Sequence, residues 1–568
     1  MQPNNSPFGG PEIRNLVLAL VLATITMLAW EYFYEKPHMQ AQPPAAQALP
    51  LKTTTPALAE PAPAPIDRAP KIEIRTERLH GFISLRGARL DDLTLAQYHE
   101  TIAKDSPEVR LLSPASDAMP YFIETGMLGE KIRTPDASTL WQADGTVLDK
   151  NHPVTLRWNN GQGLTFTRRI SLDDAYMFTI ATTVKNAGGS PITLYPYGLV
   201  ARAYDDVQKH VYFMHDGPLG VLNNVLEDTS YKKLRTDGPH KFDSSTGGWI
   251  GITDKYWLTA IIPDQTLQFD ANFSHHDPID GHDRYQADLR GAPVTVPAGG
   301  EIENTVRVFA GAKEVKLLDA YRTQFNIPLF DRAVDFGSLY FLTKPLFHVL
   351  SYFYGIVGNF GVAILLLTVS IKILLFPLAS KSMTSMAQMK LLQPKMAELK
   401  ERHGHDKLKL NQEVMNLYKA EKVNPMGGCL PLLFQIPIFL ALYRVLYTTL
   451  EMRHAPFFGW VKDLSAPDPT SVFNLFGLLP YDVSALPHQL HIGVWPLLMC
   501  VTMVIQQRLN PKPADEVQAT MMKIMPFLFL FMFSGFAVGV VIYYACNNIL
   551  TILQQLYINA QLKKKGLK

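Results

Sequence analysis

Lys372 lies inside the run Val362–Leu378, which reads VAILLLTVSIKILLFPL and is long and apolar enough to enter a lipid bilayer. A cation near the centre of such a helix costs roughly 2.5–3.5 kcal/mol, so its ammonium group needs something to compensate it. The chemistry on offer is not bond-making: it is a fixed positive charge that can attract a carboxylate or hold water in an apolar region. Thr368, four residues earlier, shares its helical face. Polar residues recur on the other apolar runs. Gln435 stands on one, Gln506 and Gln507 on another, and Tyr544, Asn548, Thr551 and Gln555 follow at steps of four, three and four on the last. Such stripes either line a hydrated space between spans or join helix to helix by hydrogen bonds. For Lys372 a further reading stays open, since about 7 Å of helical rise separates it from Pro377 and the side chain could snorkel to the headgroups. Arg444 presents the same choice, and with no polar stripe near it snorkelling is the simpler reading.

Nothing else in the chain points to catalysis. There is no Walker loop, dinucleotide fingerprint, nucleophile elbow or HExxH, which argues against a nucleotide-driven pump. Asp335-Phe336-Gly337 spells a kinase metal motif, but without a Gly-rich loop, paired Lys or HRD segment. Ser274–Asp283, with His275, His276 and His282, has the composition of a solvated turn and matches no zinc spacing. No metal or other cofactor is expected. A net charge of +2 made of scattered Lys and Arg gives no footprint for DNA. Cys429, Cys500 and Cys546 all lie in or beside apolar runs, so the polar half folds without disulfides.

The elements that must position these residues follow from a split in the sequence. The first half is charged and strand-like; the second is a series of apolar runs. After a short cytoplasmic N-terminus (1–12), residues 13–34 read as an uncleaved signal anchor, because the flank Trp30-Glu31-Tyr32-Phe33-Tyr34 lacks a small-residue cleavage site. Residues 35–70 form a Pro/Ala-rich linker. Residues 71–325 alternate with period two, as in Lys71-Ile72-Glu73-Ile74-Arg75 and Tyr176–Thr182, with a turn at Asn159-Asn160-Gly161, and predict an extracytoplasmic all-β sandwich. Residues 326–354 predict an interfacial amphipathic helix carrying Phe336, Leu339, Leu346, Phe347 and Leu350, broken at Pro345.

Spans then follow at 355–377, 429–450, 492–509, 524–538 and 539–558, separated by 378–428, 451–491 and 510–523 and ending in the basic tail 559–568. The segment after the second span holds nine Lys and Arg against five Asp and Glu, which places it in the cytoplasm. Arg508, Lys512, Lys523 and Lys563-Lys564-Lys565 then fall on the same side, so the last apolar run must be a hairpin of two spans. The count is six spans with both termini inside. Within 378–428, Met383, Met386, Met389, Leu392, Met396 and Leu399 mark one apolar face and Leu410, Val414 and Leu417 a second, after a turn at His403-Gly404: a cytoplasmic helical hairpin. Methionine-rich faces adapt to varied apolar partners, or they are the seam between the two helices.

Three segments carry a family pattern: Leu392-Gln393-Pro394-Lys395, then Leu417-Tyr418-Lys419-Ala420-Glu421-Lys422-Val423-Asn424-Pro425-Met426-Gly427-Gly428-Cys429-Leu430-Pro431, then Gln435-Ile436-Pro437-Ile438-Phe439-Leu440-Ala441-Leu442-Tyr443. With Pro345-Leu346-Phe347, Val357-Gly358-Asn359 and Val541-Ile542-Tyr543-Tyr544, they closely resemble the YidC membrane protein insertases. The resemblance implies a five-helix core, a β-supersandwich outer domain in the periplasm, and an inner-membrane location. It implies insertion and folding of nascent membrane proteins, alone or beside the Sec translocon, through a hydrophilic groove open to cytoplasm and lipid. It places a positive residue of the second span in that groove, usually Arg and here Lys372, with Thr368, Gln435, Tyr544 and Asn548 around it. The cytoplasmic hairpin would meet the substrate or the ribosome. A solute transporter or channel is the alternative from another class, though the membrane region shows no internal repeat. A membrane-anchored sugar-active β domain is another; it predicts a paired carboxylate site.

Overall fold

The computed structural model describes residues 69–130, 132–205, 214–279, 281–421, 423, 430–479, 491–510 and 516–564. The anchor at 13–34, nearly all of the linker, Asn424–Cys429 and the end of the basic tail lie outside them. Two compact units are formed: one from the described residues up to Glu100 with Asp105–Ser338, the other from Thr101–Lys104 with Leu339 onward.

The first unit is two antiparallel-rich sheets, one of 11 strands and one of 9. Strand Met177–Asn186 shows why: Phe178, Ile180, Val184 and Asn186 are buried on alternate positions. It pairs antiparallel with Leu164–Leu172 and Glu301–Ala312, with Phe178 opposite Leu172 and Val308. The turn before Leu164 is held by side-chain amides, Asn159 accepting from Gly161 N–H at 2.7 Å and Asn160 from Leu164 N–H at 3.0 Å, with Gly161 at φ 75°. The sheets face one another. Tyr121 of one sheet shares a 2.7 Å hydrogen bond with Thr259 of the other, and Ile83, Leu90 and Ile123 meet Ile170, Phe178 and Val308 across the interior. Helices α1 (Tyr231–Asp237) and α2 (Val315–Gln324) decorate this unit.

Two expectations change here. Ser274–Asp283 is mostly strand, with the turn confined to its tip at Gly281: strands Gln268–Ile279 and His282–Gly291 continue into it, and His275 bonds to Asp283 at 2.9 Å. Among the described residues no cluster of three metal-ligating side chains occurs. Phe336 is not on an interfacial helix either. It is buried in the β unit, as are Ile327 and Phe330, the latter edge-on to Trp249 at 5.3 Å.

In the second unit α3 (Tyr340–Val357) runs on through Pro345, its sixth residue, so the expected break there does not end the helix. Then come α4 (Phe360–Leu374), α5 (Phe376–Leu391), α6 (Gln393–His403), α7 (Lys407–Ala420), α8 (Leu430–Thr448), α9 (Val494–Leu509), α10 (Glu516–Ser534) and α11 (Val538–Lys564). Among the described residues no single helix is long and apolar enough to cross a membrane; α4 and α5, bent by 67° at Leu375, pass that test together, and Phe434–Thr448, Val494–Leu509 and Ala519–Ser534 are shorter apolar helices.

The β unit buries charges, and their pairing is testable. Arg202 is ion-paired with Asp254, and the Lys313 ammonium donates to Thr253 Oγ1 at 2.9 Å and to the Asp254 carbonyl. Burial pushes Lys313 down to about 8, against the pull of the Asp216, Asp254 and Asp335 carboxylates. Unfolded, the same lysine holds its proton to about 10.5, so above pH 8 the unfolded chain binds more protons and stability rises with pH. Between pH 8 and 9.5 the urea midpoint of the full chain, read by tryptophan fluorescence, should rise more in the wild type than in Lys313→Met. Arg202→Met should cost about 3 kcal/mol, the low end for a broken buried pair, because Asp254 keeps a 25% exposed side chain. By contrast Lys395→Ala, at an exposed pair with Glu421, should change stability by less than about 1 kcal/mol.

Candidate functional site

The position of Lys372 is set from the start of α4. Gly358 ends α3 in the left-handed region at φ 67°, and Asn359 caps α4 by accepting from Val362 N–H at 3.1 Å. Gly361 lies against Phe457 so closely that a Cβ would sit 2.0 Å from its ring. From this fixed start the helical period buries Phe360, Ala363, Ile364, Leu367 and Thr368, and leaves Leu366, Val369, Ile373 and Leu374 exposed. Lys372 continues the buried face.

Its ammonium donates to Thr551 Oγ1 on α11 at 2.8 Å. The Thr551 hydroxyl in turn donates to the Asn547 carbonyl at 2.6 Å, so it serves Lys372 as an acceptor. Cys546 is within electrostatic reach. An ammonium has three donors, and among the described residues one is used. Among the described residues no carboxylate pairs with it. One turn beyond Thr551, Gln554 has its amide nitrogen buried without a hydrogen-bond partner among the described residues. A dry donor costs about 1–3 kcal/mol, so this face suits water or the polar groups of an incoming chain.

The other expected site residues are spread around α11 rather than gathered on Lys372. Thr368 is buried one turn away, its hydroxyl turned back on the Ile364 carbonyl at 2.7 Å. Gln435 of α8 donates to Tyr543 at 3.0 Å, not to Tyr544. Tyr544 packs in an aromatic cluster with Phe439 and Phe533, at 5.8 and 5.3 Å. Asn548 donates to Thr502 of α9 at 3.3 Å, and Gln555 to the Leu509 carbonyl and Asn510 side chain, also at 3.3 Å. The single stripe seen in the sequence is therefore two. Tyr543 and Thr551, eight residues apart, serve α8 and α4, while Asn548 and Gln555 hold α9. Tyr543 is the residue sequence reasoning passed over, and its i, i+4, i+8 spacing with Asn547 and Thr551 was the available signal.

The methionines also divide. Pro394 takes a place in the first turn of α6, where a missing N–H costs nothing, and the expected long first helix is two, α5 and α6. Met383, Met386 and Met389 belong to α5, which packs beside α8 and α11; Met383 is buried and the other two are half-buried. Met396 lies in the seam of the α6–α7 hairpin, where the Tyr418 hydroxyl donates to its sulfur at 3.3 Å. Asp406 caps α7 through Leu408 and Lys409 N–H at 3.1 and 3.0 Å.

Comparison with known proteins sets this geometry in a family. Residues 71–349 match the YidC periplasmic domain family, and residues 352–565 match the 60Kd inner membrane protein family. The membrane protein insertases YidC of Rickettsia canadensis and Rickettsia rickettsii are each 47% identical over 558 residues, covering 96% of this chain and 99% of theirs. That of Rickettsia bellii is 47% identical over 556 residues with the same coverage. Among solved structures, an active YidC insertase with its first transmembrane domain resolved aligns at a TM-score of 0.34 and 17% identity, covering 85% of this chain and 94% of that one. A galactose mutarotase related enzyme from Lactobacillus acidophilus aligns at a TM-score of 0.28 and 10% identity, over 42% of this chain and 97% of its own. Scores this low carry no argument, and the sequence matches decide the matter. The chain belongs to the family of YidC membrane protein insertases, inner-membrane proteins with a large periplasmic β domain.

Proposed function

We propose that this protein inserts integral membrane proteins into the inner membrane and helps them fold, and that Lys372 is the electrostatic centre of the path they take. The observation that carries the mechanism is the Lys372 ammonium, held by Thr551 inside the helix bundle with no described carboxylate to neutralise it. A polar segment crossing a bilayer loses its hydrogen bonds to water, at several kcal/mol per unsatisfied group. A hydrated groove reaching partway through shortens that apolar barrier. An acidic segment of the client is drawn toward Lys372, while the client's apolar helix leaves sideways into lipid along α8 and α10, whose outer faces expose Phe434, Ile436, Phe527 and Leu528. No bond is made or broken, so the protein acts as no enzyme and needs no cofactor.

The finer topology belongs to the same proposal: six spans counting the anchor at 13–34, both termini in the cytoplasm, and α5–α7 as the cytoplasmic face that receives nascent chains. The ribosome and the Sec translocon are the partners this arrangement suits. A lysine fills the role because a single hydrogen bond to Thr551 fixes a point charge without a planar fork. The transporter and sugar-enzyme alternatives have no observation in their favour.

Purified protein in liposomes should insert a small client with an acidic outer tail. Lys372→Ala should lower that yield about fivefold, equivalent to ~1 kcal/mol for charges about 4 Å apart in a water-filled space. Lys372→Arg should keep it, and a client with a neutral tail should not respond to either change. Equal insertion of acidic-tailed clients by Lys372→Ala and wild type would contradict the charge-attraction step and leave the insertase reading standing. In cells depleted of the wild-type chain, a variant lacking most of Lys71–Val308 should still support insertion, measured by protease protection of the client; complete loss would favour a function centred on the β domain.

A further inference from the structure

Between α8 and α9 the chain builds a platform. Met452, Val461 and Leu464 are buried in it, and Asp463 ties it together by accepting from His454 and Ser465 N–H at 3.1 and 2.8 Å. Asp468 and Thr470 accept from Trp495 and Val494 N–H at 2.9 and 3.0 Å, capping α9. The Leu464 and Ala466 carbonyls receive the N–H groups of Gly539 and Val538 at the start of α11, and Asn359 reaches the Pro456 carbonyl at 3.4 Å. The platform therefore sits on the end of the bundle where α4 begins, about 18 Å of helical rise from Lys372.

Two apolar tips project from this rigid base. In the first, Phe457 N–H bonds to the Val461 carbonyl at 3.1 Å and Gly459 turns the chain at φ 64°, leaving Phe458 63% and Trp460 43% exposed. In the second, Phe473, Leu475 and Phe476 are 46%, 50% and 43% exposed. Leu475 and Phe476 are consecutive non-glycine residues in the left-handed region, at φ 49° and 59°. Each such residue costs roughly 1 kcal/mol or more, and here the cost turns apolar side chains outward instead of into a core. An apolar phase outside the protein accounts for it. The tips stand between the ends of α8 and α9, whose outward residues Leu440, Leu498 and Val501 are likewise apolar and exposed, and Lys462 is exposed two residues after Trp460.

We infer that both tips enter the headgroup and upper acyl layer of the phospholipid bilayer, with Lys462 directed toward lipid phosphate, and that this pins the end of the bundle opposite the cytoplasmic helices at a fixed depth. Phe and Trp flanked by a Lys are the residues that favour this layer. The inference rests on the membrane-insertase reading. It is tested on the full chain with its native cysteines replaced by Ser, reconstituted in phosphatidylethanolamine–phosphatidylglycerol liposomes, with nitroxide labels placed singly by Phe458→Cys, Leu475→Cys, Lys462→Cys and Leu553→Cys. Collisions with lipid-soluble oxygen and with a water-soluble nickel complex give depth. Labels at 458 and 475 should behave like the label at 553 on exposed α11, with nickel collisions several-fold fewer than at 462. Nickel access at 458 and 475 equal to that at 462, with 553 still shielded, overturns the proposal alone. Shielding from both reagents means packing on protein and also overturns it. Nickel access at 553 as well overturns both the proposal and the membrane reading.

Discussion

An ammonium ion placed in an apolar helix bundle must be solvated by something, and the arrangement of the membrane unit follows from how this is done. Thr551 accepts one of the three Lys372 donors, which joins α4 to α11 across the bundle. That contact depends on both helices being fixed in rotation. For α4 the fixing comes from the Gly358–Asn359 junction and from Gly361 against Phe457. For α11 it comes from Asn548 and Gln555 on α9 and Tyr543 on α8.

The β unit also holds buried charges, and most of those meet an opposite charge. Arg202 has Asp254; Glu124 accepts from Arg89 and from Tyr197, both at 2.6 Å; Arg168 donates to the Thr125 carbonyl at 2.6 Å and stacks on Trp141. Arg202 and Glu124 meet an opposite charge, which offsets a burial penalty of several kcal/mol each, whereas Arg168 has a carbonyl and a ring, and its Nε has no partner among the described residues. Lys372 meets a threonine hydroxyl and, among the described residues, no carboxylate.

Much of the architecture was legible because period and punctuation are local. Alternation along Lys71–Arg75 and Tyr176–Thr182, and the side-chain-held turn at Asn159–Gly161, depend on neighbours in sequence. What escaped depends on neighbours in space. Helical spacing placed Tyr544, Asn548, Thr551 and Gln555 on one broad face, but spacing cannot say which adjacent helix each residue meets, and a difference of about 100° per residue separates Tyr543 from Tyr544. The Met383–Leu399 pattern ran unbroken through Pro394 because the methionines keep their spacing across the break. Phe336 fitted an amphipathic helix by period and is buried in the β unit, since an apolar residue at a boundary suits either side.

The proposed mechanism requires the space around Lys372 to be wet and reached from the cytoplasm. The native thiol of Cys546, beside Lys372, reports on it directly once Cys429 and Cys500 are replaced by Ser. A membrane-impermeant maleimide is added to inverted membrane vesicles, and the labelling rate of Cys546 is compared with that of a cysteine placed at exposed Leu553 in a Cys546→Ser background. A wet groove gives rapid labelling of Cys546 and little at 553. Labelling of Cys546 as slow as at 553 would mean that lipid or packed protein, not water, surrounds the charge.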